Sequence, residues 1–326
     1  MYYKFLKRIY RSKVYMRIVP DEATFYFSAE DFPGLTVSPY ELTSSDGHSL
    51  AGYFYSYEGC DHSRIVILEH GMGPGHVSYM PEIEMLAAHG YLVFTYDHTG
   101  CRESGGENIG GFIQSLKDLD DVITTLKADK EYSGRKISVI GHSWGGFSTL
   151  NIAAWHPDIT HAVAISGFTS VKSIIDQYFR KFSFGVAKRL YLEECEKNRE
   201  YVETNAATVL KTSPVKTMII HSKGDKKVNF GMHFDALRRE IGQKSGIIFV
   251  EMSDREHNPT YTRDAIIYKK AFYKARRRAH KRGELKTKEG CDLFRASFDW
   301  RKMTEQDTEL WKKIFNFLDD LDETEK

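Results

Sequence analysis

From residue 37 to residue 56 apolar and polar positions alternate on either side of the turn residues Ser44, Ser45, Asp46 and Gly47, which predicts an antiparallel hairpin. Beyond it the period changes. Compact β-branched runs at 64–68, 91–96, 136–140, 161–165, 217–221 and 246–251 are each short and apolar enough to be strands buried on both faces. Between them, helical spacing is expected at 80–89, 114–128, 145–155 and 231–241; in the second of these Leu116, Leu119, Val122, Ile123 and Leu126 share one face. The alternation predicts an α/β fold: a doubly wound, mostly parallel sheet with an antiparallel N-terminal hairpin.

Two stretches interrupt the alternation and divide the chain. Residues 168–212 are long and aromatic where one crossover helix would suffice, and are expected to form an inserted helical cap. Residues 261–300, with the basic run Lys274, Arg276, Arg277 and Arg278, form a second insertion with no role assigned by the sequence. The expected organisation is a basic aromatic extension at 1–36, a first core segment at 37–167, the cap at 168–212, and a second core segment at 213–326. Within the cap, Phe168, Ile174, Ile175, Tyr178, Phe179, Phe182, Phe184, Val186, Leu190 and Tyr191 either line an apolar cavity or pack on the sheet.

Composition narrows the function classes. The 46 basic and 45 acidic residues of this 326-residue chain give no overall field to gather nucleic acid, and the Lys274 to Arg282 tract lacks an aromatic stacking platform. No nucleic-acid partner is expected. Cys60, Cys101, Cys195 and Cys291 are too scattered for a metal knuckle or a disulfide framework, so free thiols are expected. No His, Asp, Glu or Cys cluster has metal spacing and no glycine-rich phosphate loop opens a helix, so no metal or cofactor is expected. The first 20 residues lack the apolar run of an export signal, which points to a cytoplasmic location. They also carry Lys4, Lys7, Arg8, Arg11, Lys13 and Arg17 among aromatic residues, which suits either docking on the protein's own core or peripheral contact with a membrane.

The chemistry is concentrated in four segments. An apolar strand runs from Lys136 into Gly141-His142-Ser143-Trp144-Gly145-Gly146 and then into a helical pattern, an arrangement that holds a serine hydroxyl out of a sharp turn. A second strand ends in Glu69-His70-Gly71-Met72-Gly73. A third leads into Asp97-His98-Thr99-Gly100-Cys101-Arg102-Glu103-Ser104, where Asp97 and Arg102 are expected to organise a loop. Downstream, one strand ends at Gly224-Asp225 and the next is followed by His257, with Asp254 and Glu256 as rival acids nearby.

Over about 37–258 these motifs and their order, Ser then Asp then His, resemble the α/β-hydrolase fold superfamily of serine hydrolases, esterase, lysophospholipase and serine aminopeptidase types among them. The resemblance implies Ser143 as nucleophile, His257 as general base and Asp225 as the acid that orients it. It also implies an oxyanion hole formed by the backbone amides of Met72 and Trp144, with His70 bracing the loop. A serine hydroxyl needs such a base, and the base needs an acid to fix its tautomer. A small acyl substrate follows, with a carboxylic ester as the leading class. A peptidase on the same fold, and a binding protein in which Ser143 is only a turn residue, are the alternatives.

Overall fold

The computed structural model describes residues 2–182 and 184–321. Helix α1 (Tyr2–Val14) precedes a hairpin of β1 (Thr36–Thr43) and β2 (Ser49–Ser56), closed by hydrogen bonds from Ser44 N–H to His48 O and from Gly47 N–H to Ser44 O. Then come β3 (Asp61–Glu69), α2 (Met80–Ala88), β4 (Tyr91–Tyr96), α3 (Gln114–Ala128), β5 (Lys136–His142), α4 (Trp144–Asn151) and β6 (His161–Ile165). Helices α5 (Val171–Phe179), α6 (Phe184–Val202) and α7 (Ala206–Thr212) lead to β7 (Lys216–Ser222), α8 (Ala236–Ile241) and β8 (Ile247–Met252). The chain ends with α9 (Arg263–Arg282), α10 (Lys288–Ala296), α11 (Trp300–Met303) and α12 (Thr308–Leu318).

All eight strands form one sheet in the order β1-β2-β4-β3-β5-β6-β7-β8. β2 pairs antiparallel with both β1 and β4, and every later pairing is parallel. Pro39 is accommodated because β1 is an edge strand with no ladder on its outer side. The central strands are apolar at consecutive positions because each has two faces to bury. Ile65 and Ile67 point to the face covered by α1, α3 and α4, while Val66 and Leu68 point to the face covered by α2 and α12. The predicted stripe Leu116, Leu119, Val122, Ile123 and Leu126 on α3 is fully buried on the first face.

Three regions differ from or sharpen the expectations. Within 168–212, α7 packs on α4 and buries Ala206, Ala207 and Leu210 against Leu150 and Ile219. Helices α5 and α6 of the same stretch pack on each other. Of its expected apolar residues, Phe168, Ile174, Ile175, Val186 and Leu190 are buried, Phe179 and Tyr191 are half-buried, and Tyr178 and Phe182 are exposed; the Phe184 side chain lies outside the described residues. The helix expected at 231–241 opens with a wider π turn over Gly231–Asp235 before α8.

The N-terminal helix is docked on the protein. Leu6, Tyr10 and Val14, spaced four apart, are each 3 % exposed and join the main core. Lys7 pairs with Glu193 of α6 at 2.6 Å, and the Tyr15 hydroxyl donates to the Glu194 carboxylate of the same helix. No described helix is long and apolar enough to cross a membrane. The four cysteines are buried and unpaired. Because α1 contributes to the core, Leu6→Ala is expected to cost about 2–5 kcal/mol in urea unfolding; a change below about 0.5 kcal/mol, the usual size at a surface position, would contradict this docking.

Candidate active site

Parallel strands carry their loops to a common edge, and the candidate residues sit on loops at that edge. Ser143 follows β5 directly, Asp225 follows β7, His257 follows β8, and Met72 lies after β3. Ser143 has φ 59° and ψ −108°, a conformation that costs of the order of 1–3 kcal/mol for a residue with a Cβ atom. The neighbouring glycines make the turn possible. A Cβ atom on Gly145 would lie 2.3 Å from the Glu69 carbonyl oxygen, and one on Gly141 would lie 2.3 Å from the Gly145 oxygen.

The structure brings Ser143, His257 and Asp225 together although 114 and 32 residues of sequence separate the successive pairs. The His257 Nε2 atom is 2.8 Å from Ser143 Oγ, and its Nδ1 is 2.7 Å from Asp225 Oδ2. Since the carboxylate can only accept, Nδ1 carries the proton and Nε2 is free to accept from the serine hydroxyl. Asp225 Oδ1 accepts from the Lys227 and Val228 amides at 2.8 and 3.0 Å, and His221 Nε2 lies 3.2 Å from Oδ2. Burial alone would raise this carboxyl. Hydrogen bonds from His221 and His257, with the charge of His257, outweigh it and hold Asp225 well below the usual carboxylate range. At His257 burial prevails over the attraction of Asp225, so the imidazole lies below its ordinary value.

The rival acids are elsewhere. Glu256 is paired with Lys270 at 2.8 Å, and Asp254 is exposed. His70 donates from Nδ1 to the Gly71 oxygen at 2.7 Å and accepts the His98 amide at 3.0 Å, the bracing expected of it. Asp97 accepts the His76 amide and Nδ1 at 2.9 and 2.8 Å, with Arg102 at 3.6 Å, so it organises its loop. The Met72 and Trp144 amides have no hydrogen-bond partner among the described residues, and both residues line the cavity together with Ser143. The Trp144 indole donates to the Phe112 oxygen at 2.6 Å, which anchors the side chain.

Several participants were invisible in the motifs. The Gly71 amide donates to the Tyr79 hydroxyl at 2.9 Å, Tyr79 donates to His142 Nδ1 at 2.7 Å, and His142 Nε2 donates to the His257 carbonyl at 2.6 Å. Burial, reinforced by His257, keeps His142 neutral, as this chain of donors requires. His142 occupies the variable position between Gly141 and Ser143, so the motif gave no reason to single it out. Above Ser143 lies a cavity of about 700 Å³, a size suited to a small organic ligand. Its walls come from α1 (Leu6, Val14), from α5 (Ile174, Phe179), and from the insertion left unassigned by sequence (Tyr261, Lys269).

Comparison with known proteins agrees with this architecture. Residues 61–213 match the model of the family described as serine aminopeptidase, S33, a span that includes Met72 and Ser143 but ends before Asp225 and His257. The chain is 28% identical over 118 residues to human monoglyceride lipase, covering 36% of this chain and 38% of the lipase. It is 31% identical over 94 residues to a putative carbamate hydrolase, RutD, of Agrobacterium fabrum, covering 28% of this chain and 33% of that protein. These matches therefore span only about a third of each curated relative's length. Among solved structures, the Pyrococcus furiosus esterase Pf2001 superposes with a TM-score of 0.58 at 19% identity, over 79% of this chain and 96% of the esterase. The strand order, the serine turn and these similarities show that the chain has the α/β-hydrolase fold.

Proposed function

We propose that this protein is a serine hydrolase that cleaves a carboxylic ester through an acyl-enzyme. The observation that carries the reading is the continuous hydrogen-bond chain from Ser143 Oγ through His257 to Asp225 at the floor of a mostly apolar cavity. In the first half-reaction Ser143 Oγ attacks the carbonyl carbon while its proton passes to His257 Nε2. The Met72 and Trp144 amides receive the carbonyl oxygen as it gains negative charge, and α4 adds the positive end of its dipole. His257 then returns the proton to the departing alkoxide. In the second half a water, deprotonated by His257, attacks the acyl carbon and releases the carboxylic acid with Ser143 restored.

Two further observations favour an ester over an aminopeptidase substrate and over a purely binding role. No Asp or Glu side chain lines the cavity among the described residues, so nothing there matches the free amine of a peptide. A turn serine without chemistry would not require a buried base and acid aligned on its hydroxyl. The similarity to monoglyceride lipase and to a solved esterase fits the same reading.

Replacing Ser143 or His257 by alanine is expected to lower kcat/KM on a short-chain nitrophenyl ester by about 10³-fold or more, and the double substitution should cost little beyond either single one. Additive losses, or activity that survives Ser143→Ala, would contradict the shared role. Because His257 must be neutral to accept the proton, kcat/KM should fall as pH drops through a value below the ordinary imidazole value of 6.5, and the activity plateau should extend into mildly acidic buffer. A pH–rate profile with its acid limb above 6.5 would contradict the burial of this imidazole.

A further inference from the structure

Four lysines from separate parts of the chain converge on the cavity above Ser143: Lys13 on α1, Lys181 just beyond α5, Lys227 beside Asp225, and Lys269 on α9. Neighbouring lysines are neutralised, Lys172 by Asp176 and Lys270 by Glu256, but these four have no ion-pair partner among the described residues. Lys269 is the most enclosed. Its ammonium stands 4.5 Å over the Tyr261 ring and 3.4 Å from Asn258 Oδ1, and loss of solvent pushes it down to about 8 against the opposing attraction of buried Glu82. Burial is the main reason that His257, His142 and Lys269 lie low, and Lys227, which lines the same cavity, adds a smaller push in the same direction. The chain as a whole is almost neutral, with 46 basic and 45 acidic residues, so this local excess does not follow from the general surface. Leu6, Val14, Phe112, Phe168, Ile174 and Phe179 supply apolar surface to the same cavity.

Resting on the serine hydrolase reading, we infer that the substrate is an amphipathic ester with one apolar arm and one arm ending in an anion, a phosphate or a carboxylate. The apolar arm lies against α1 and α5. The anion lies between exposed Lys227 and enclosed Lys269, where it offsets the mutual repulsion of their ammonium groups. An anion held there also removes the unfavourable field that Lys227 exerts on His257 when that imidazole becomes charged during the reaction.

The test is calorimetric binding to full-length Ser143→Ala protein, which needs no turnover. The ligands are 1-O-decylglycerol, its 3-phosphate, and its 3-hemisuccinate, all below their micellar concentrations. The account expects at least one anionic ligand to bind about tenfold more tightly than the neutral one, and whichever of the two binds better identifies the anion. Lys227→Gln, at an exposed position, and Lys269→Gln should each reduce that ratio by about fivefold, while Lys227→Arg should retain it. If Lys269→Gln does not fold, Lys227→Gln carries the comparison. Equal affinities for the three ligands, or a ratio that both folded glutamine variants leave unchanged, would overturn the inference. Failure here leaves the hydrolase reading intact, since that reading depends on loss of turnover in Ser143→Ala, and a preserved anion preference without turnover would separate the two in the other direction.

Discussion

The structure depends on one strained residue. Ser143 holds a left-handed φ because β5 must give way to α4 within a single residue, and because its amide is fixed by a hydrogen bond to the Ile165 oxygen of β6 at 2.8 Å. Close approach of the backbone at Gly141 and Gly145 keeps the turn tight around Ser143, which lines the cavity with His142 and Trp144. The strain is stored in the most buried part of the sheet, where the neighbouring strands are apolar on both faces and resist relaxation. That rigidity sets the height at which a base must stand, and the loops after β7 and β8 meet it.

The loops around the serine are joined to one another as well as to the strands. Gly71, Tyr79, His142 and the His257 backbone form a single line of donors and acceptors from the loop after β3 to the loop after β8. The proposed oxyanion donor Met72 is the residue after Gly71, so the position of that amide and the position of the base share one support. A neutral His142 is essential to this line, because a second proton would leave Tyr79 with no acceptor there. Above the line, α1, α5 and α9 enclose the cavity, although they lie far apart in sequence.

Much of this was legible from residue order. The six parallel strands, the hairpin and the α3 stripe followed from hydrophobic period, which is a local property. Ser143, Asp225 and His257 followed from strand-end motifs. What the sequence did not reveal depends on distant partners. The docking of α1 on its own core uses Glu193 and Glu194 on α6, far along the chain. The insertion at 261–300 had no motif, yet Tyr261 and Lys269 reach the cavity. Helical spacing alone cannot say whether a helix faces a sheet or another helix, so the packing of α7 on α4 was not legible within 168–212.

The most direct test of the account is whether Ser143 is an activated nucleophile. Purified protein treated with a fluorophosphonate at neutral pH, then digested and mapped by mass spectrometry, should carry one phosphonyl adduct, on the peptide containing Ser143. Folded protein that stays unmodified, or that is modified at another residue while Ser143 remains free, would contradict the central claim.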